Sequence, residues 1–175
     1  EFGTVVLMNI MNNICALPTR NHQQSQFEGA EAISGEALTD NYLVKNDSCW
    51  ACPIGCTRIS KTDKVKGEGP EFESTWAFGA QCGIDDLPAI IEANSICNDL
   101  GLDTISAGST IACAMELSEK GYMNSGLRFG RADQLAPTLE AMAARENVGA
   151  DLADGSFRLA SKYGHPELSM SAKGL

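Results

Sequence analysis

Three cysteines fall within eight residues, Cys49-Trp50-Ala51-Cys52-Pro53-Ile54-Gly55-Cys56, and no other stretch constrains the chain as tightly. A C-x2-C turn lets two sulfurs face one point, and the x3-C extension brings a third thiol to the same side; Pro53 and Gly55 shape the loop between them. Soft thiolates in this spacing suit an iron-sulfur cluster or zinc. Three sulfurs leave a tetrahedral site or a four-iron cube one ligand short, so a distant residue or a further part of the polypeptide has to close it. A structural zinc site usually draws its ligands from two local pairs. Neither a second C-x2-C nor a histidine pair exists here, and the two histidines, His22 and His165, stand alone and read as surface residues. Iron-sulfur is therefore favoured over zinc, with merely reduced thiols as the plainest reading. Seven cysteines is an odd number, and the clustered three lie too close together to staple a fold of this size. Cys15, Cys82, Cys97 and Cys113 are scattered and read as small core residues.

The chain around this loop has 175 residues, of which 43% are hydrophobic, enough for one domain with a real core. A net charge of -10 with only 13 lysines and arginines repels phosphate backbones and anionic membrane surfaces, so nucleic acid and membrane are excluded as partners. No apolar run approaches the ~20 residues of a membrane helix. Glu1-Phe2-Gly3-Thr4 lacks the basic start of a secretory signal, and the expected location is the cytoplasm. The chain opens without Met and enters the apolar stretch Val5 to Met11 at once, as an excised piece would. Such a piece is expected to bare apolar surface and to self-associate.

Helical periodicity dominates the rest. A helix is predicted over about 4–14, ended by Leu17-Pro18. Ser34 caps a helix over about 35–45, and 71–81 forms a short one carrying Phe72, Trp76 and Phe78. Asp85 caps the next, which Gly101 terminates in the left-handed conformation. Residues 104–120 form the clearest buried helix, with Ala107, Gly108, Ser109 and Ala112 permitting close approach of another backbone. Two more are predicted over 133–147 and 151–163. Residues 58–68 alternate and then turn through Gly67-Glu68-Gly69-Pro70, which predicts one small β-hairpin. The fold class is all-α: a single multihelical domain with irregular loops and that hairpin.

Acidic residues mark two further places. Glu71-Phe72-Glu73 follows the glycine-rich turn, and Glu92 sits among Ile91, Ala93 and Ile96. Most helix glutamates are simply solvated. Buried in that apolar setting, Glu92 would have its pKa raised toward a range useful for proton transfer. Asn98-Asp99-Leu100-Gly101-Leu102-Asp103-Thr104 reads as a helix-to-helix corner, with Gly101 ending one helix and Asp103 capping the next. Such a corner bares amide and carboxylate groups toward a polar ligand.

Taken together, these segments resemble the tungsten-dependent aldehyde ferredoxin oxidoreductase family. The resemblance runs in order through Ala16-Leu17-Pro18-Thr19-Arg20-Asn21, Phe27-Glu28-Gly29-Ala30, Ile33-Ser34-Gly35-Glu36, the cysteine loop, Gly69-Pro70-Glu71-Phe72-Glu73 and Gly101-Leu102-Asp103-Thr104-Ile105-Ser106. It implies that Cys49, Cys52 and Cys56 are three ligands of a 4Fe-4S cluster whose fourth cysteine comes from a following domain. It implies that Asn98, Gly101, Leu102 and Asp103 stand in the D-x-x-G-L-D segment that contacts the pterin of a tungsten (or molybdenum) bis-pterin cofactor. Asn98 replaces the family's aspartate there, and an amide without charge makes a weaker contact with amino groups. Glu73 and Glu92 look similar to the acidic residues beside the metal, and Phe72 stands where relatives often have tyrosine.

By the same resemblance the chain is the second of three domains. The N-terminal sheet domain, the C-terminal helical domain and a histidine near the metal are missing. The implied activity is oxidation of a small aldehyde to a carboxylic acid, with electrons passing through the cluster to ferredoxin or a similar acceptor. The piece alone is expected to be inactive. Two other readings stand beside this one, a family relative that reduces aromatic acyl thioesters and a non-catalytic iron-sulfur or zinc-binding module.

Overall fold

A helix over Thr104–Glu119 forms the axis of the computed structural model, which describes residues 2–173. Asp103 caps it by accepting from the Ser106 N–H at 2.7 Å, and Gly121 at φ +77° follows its end. From Thr110 to Leu117 every residue is buried, so helices pack on it from several sides. The small residues allow this. A Cβ added at Gly108 would lie 2.7 Å from the carbonyl carbon and oxygen of Ala77, on the short helix Phe72–Phe78. Backbone cannot give way as a side-chain tip does, so Gly108→Ala is expected to lower stability by about 1–3 kcal/mol. A fall in the thermal midpoint of the purified chain measures it, and an unchanged midpoint would mean that the two helices separate freely.

In chain order the helices are α1 (Leu7–Asn13), α2 (Gly35–Asn41), α3 (Phe72–Phe78), α4 (Leu87–Leu100), α5 (Thr104–Glu119), α6 (Leu135–Ala144), α7 (Val148–Leu152) and α8 (Ser156–Lys162). Short 3-10 turns lead into α1 and α6 and follow α3. The buried apolar residues form one cluster that includes Met8, Leu38, Phe78, Ile90, Ile111 and Met115. No helix among the described residues is long and apolar enough to cross a membrane. Apolar side chains stand open at Leu7 and Ile10 on α1 and at Ile14 just beyond it.

The multihelical class and the hairpin agree with the sequence, while several boundaries move. Ser34 caps α2, accepting from Ala37 N–H at 3.1 Å, but the helix stops at Asn41 instead of running to 45. Residues Leu43–Asp47 form a strand, β1, that pairs antiparallel with β2 (Thr57–Lys61), and β2 pairs with β3 (Lys66–Glu68). The Tyr42 carbonyl accepts from Lys61 N–H at 2.9 Å, a sheet-type partner that takes the backbone out of the helix. Asp86, not Asp85, caps α4, its Oδ1 accepting from Ala89 N–H at 3.0 Å. The Asp85 side chain instead packs where Gly29 has no Cβ. Asp133 pairs with Arg131 and caps nothing; α6 runs over Leu135–Ala144, and Arg145 caps its end in the left-handed conformation (φ +53°). The single helix predicted over 151–163 is broken at Gly155 (φ +86°) into α7 and α8.

Candidate functional site

The cysteine loop is the connection of the β1–β2 hairpin. Asp47 pairs with Thr57 across its base, and Asp47 also accepts from Ser48 N–H at 3.0 Å and from Lys45 Nζ at 2.7 Å. Within the loop Cys52 N–H donates to the Cys49 carbonyl at 3.0 Å, closing the turn between the first two thiols. Ala51 (φ +59°) and Gly55 (φ +62°) both turn through the left-handed region. Trp50 is 98% exposed and Ile54 77%, so the loop crest projects away from the body.

All seven thiols are free, and they divide by environment. Cys49 is exposed and Cys52 and Cys56 are half-buried, all on one connection, whereas Cys82, Cys97 and Cys113 are buried. Burial pushes the Cys82 thiol up; burial, with Asp103 and Glu116 as minor contributors, pushes Cys97 and Cys113 up to about 12. Such thiols stay protonated and unreactive. Brief treatment of the native chain with a thiol-specific reagent at neutral pH is therefore expected to label Cys15, Cys49, Cys52 and Cys56, four of the seven. Peptide mapping checks this, and rapid labelling at Cys97 or Cys113 would contradict the packing.

Three accessible soft donors on one hairpin connection match the chemistry of an iron-sulfur cluster's ligands. No group of three or more His, Cys, Asp or Glu among the described residues is gathered closely enough to hold a metal ion, so the loop offers donors without closing a cage.

The corner at Gly101–Asp103 adjoins two grooves. Gly101 sits at φ +71°, Leu102 N–H donates to the Cys97 carbonyl at 2.9 Å, and one Asp103 oxygen is engaged in capping α5. On one side a groove of about 340 Å³ runs from Leu102 and Asp103 toward Met142 and Arg145. On the other, a polar groove of about 570 Å³ is lined by Glu71, Ser74, Asn94, Asn98, Asp99 and Thr104, with Lys66 at the hairpin. Ser74 Oγ and Thr104 Oγ1 share a hydrogen bond of 2.8 Å across its floor. Asn94 and Asn98 both turn their amide nitrogens to the Glu68 carbonyl, at 2.8 and 3.5 Å.

The two proposed acids do not share a pocket. Glu73 is exposed in the first turn of α3. Glu92 faces a groove of about 850 Å³ between the hairpin turn, α4 and α6. Its side chain is 21% exposed, and its Oε2 accepts from Lys64 Nζ at 2.7 Å. A cation faces it where the sequence pointed to apolar packing, and the pairing raises the Lys64 ammonium above its ordinary value. Sequence reasoning passed over Glu71 as a groove residue. Only the Gly69-Pro70-Glu71 turn hinted at it, since what fixes Glu71 lies 67 residues earlier, at Thr4.

The histidines stay apart from all of this. His22 meets the Trp76 ring edge-on at 6.0 Å, with burial lowering its pKa, and His165 stacks on Tyr122 at 3.5 Å.

Residues 1–175 match a family model described as "Aldehyde ferredoxin oxidoreductase, domains 2 & 3". The chain is 50% identical to a tungsten-containing aldehyde ferredoxin oxidoreductase of Thermococcus kodakarensis, over 100% of this chain and 30% of that protein. A protein of the same description from Pyrococcus furiosus is 49% identical, again over 100% of this chain and 30% of its own length. The chain thus spans about 30% of the length of these curated relatives. Among solved structures, the active site complex BamBC of benzoyl coenzyme A reductase with 1,5-dienoyl-CoA superposes with a TM-score of 0.72. That match covers 93% of this chain and 26% of the other at 22% identity, a likeness of fold alone.

Proposed function

The chain belongs to the aldehyde ferredoxin oxidoreductase family, and on that premise we propose that it is the cluster- and pterin-contacting domain of an enzyme that oxidises an aldehyde to a carboxylic acid. The observation that carries this is the open hairpin connection with its three accessible thiols, on the same domain as the Gly101–Asp103 corner. Cys49, Cys52 and Cys56 would hold a 4Fe-4S cluster, with the fourth ligand supplied by the remainder of the polypeptide. Asn98, Gly101, Leu102 and Asp103 would contact the pterin. Bound, a tungsten (or molybdenum) bis-pterin centre supplies two-electron chemistry and the cluster supplies one-electron transfer to ferredoxin or a similar acceptor. Glu92 takes up a proton on Oε1 while Lys64 holds Oε2, and Glu73 is the second acid. The sheet domain and the second helical domain lie in the remainder of the polypeptide, so the isolated chain is inactive.

The test uses the full-length polypeptide, produced with tungstate and purified without oxygen. Reduction of a viologen dye dependent on a small aldehyde supports the reading. Reduction of an aromatic acyl thioester with no aldehyde activity would replace it by that second reaction, and iron without either activity would leave an electron-transfer module.

A further inference from the structure

The polar groove has a charged wall that the corner residues do not supply. Asn98 contributes an amide, and the nitrogens of Asn98 and Asn94 both point to the Glu68 carbonyl. Their oxygens are thereby turned from it. Asn94 is only 5% exposed, yet its Oδ1 makes no hydrogen bond among the described residues and is not sealed from solvent. Gly69, at φ +88°, makes room for it, since a Cβ there would lie 2.9 Å from Asn94 Nδ2. The groove therefore presents acceptors, and its charged side chains are Lys66 against Glu68, Glu71 and Asp99. It suits a ligand edge rich in N–H donors.

Glu71 is the anion of this group that is fixed in place. Thr4 donates its hydroxyl to Glu71 Oε2, and the same Thr4 Oγ1 accepts from Phe72 N–H at 2.9 Å. Glu71 caps α3 by position but makes no side-chain capping bond, so Thr4 serves as the cap from a distant part of the chain. The arrangement orients the carboxylate of this groove-lining residue and leaves Oε1 without a hydrogen bond among the described residues. Resting on the family reading above, we infer that Glu71, positioned by Thr4, is the anionic acceptor for the amino-bearing edge of the pterin. It supplies from the opposite wall the charge that Asn98 lacks.

The experiment measures pterin and tungsten bound per full-length polypeptide after extensive dialysis, alongside the thermal midpoint. Glu71→Gln removes a charge-assisted hydrogen bond and is expected to weaken retention about tenfold to a hundredfold. Adding Asn98→Asp to that variant is expected to restore most of it. Thr4→Val is expected to weaken retention in the same direction, and Thr4→Ser, which keeps the hydroxyl, to match the parent. Full retention by Glu71→Gln, or loss that Asn98→Asp does not restore, overturns the inference. Equal behaviour of Thr4→Val and Thr4→Ser overturns the part given to Thr4. Should Glu71→Gln fail to accumulate, the Thr4 pair decides: weaker pterin retention by Thr4→Val than by Thr4→Ser supports the inference, and equal retention overturns it. A parent protein that holds no pterin at all overturns the family reading as well, which separates the two failures.

Discussion

Cys52→Ser in the full-length polypeptide is expected to abolish the brown chromophore, lower iron content to background and eliminate aldehyde-dependent dye reduction. Serine replaces a soft sulfur donor with a hard hydroxyl, which holds iron-sulfur iron poorly. The fold is expected to survive, because the ends of the loop are tied by the Asp47–Thr57 pair and not by sulfur. Cys52 is a half-buried residue on an open connection, so in the cluster-free chain its replacement should change stability by no more than about 0.5 kcal/mol. Cys97→Ser is the matched control. It places a hydroxyl in the core and should cost stability while leaving iron content unchanged. Full iron in purified Cys52→Ser would remove this thiol from the ligand set, and with it the reading of the loop.

Glu92→Gln and Glu73→Gln carry the next largest expected effect, a fall in kcat of about 10²–10⁴ for whichever carboxylate moves the proton. Their different settings make the comparison informative. The Lys64 ammonium that Glu92 binds is on an exposed side chain, so the amide variant leaves a hydrated cation and a nearly unchanged fold. Glu73 is exposed in the described chain and needs the remaining domains to bring it against a substrate. Steady-state kinetics with both variants, together with their pterin content, separates proton transfer from cofactor loss. Wild-type kcat in both would end the assignment of an acid to either position.

Local chemistry was legible in the sequence where a residue and its partner lie a few positions apart. Ser34 and Asp103 cap their helices, Gly101 ends α4, and the small face of α5 receives another backbone, all as the sequence indicates. Strand β1 was not legible. Its three central residues, Val44, Lys45 and Asn46, are all exposed, so they show no alternation, and its partner lies beyond the cysteine loop. Asp85 and Asp86 offer the same side chain at adjacent positions, and only backbone geometry chooses between them. The separation of Glu73 from Glu92, and the tie between Thr4 and Glu71, depend on how distant segments pack, which no local pattern records.

The tie between Thr4 and Glu71 also bears on the order in which the chain matures. Helices α4 and α5 are consecutive and can build from neighbouring residues, whereas this closure must bring together positions 67 residues apart before it gains anything. The α4–α5 pair needs no such closure, so the entropy of closing this loop falls on the wall that orients the carboxylate. On the reading proposed above, an edge built by this closure would be complete only in chains whose distant segments have already met.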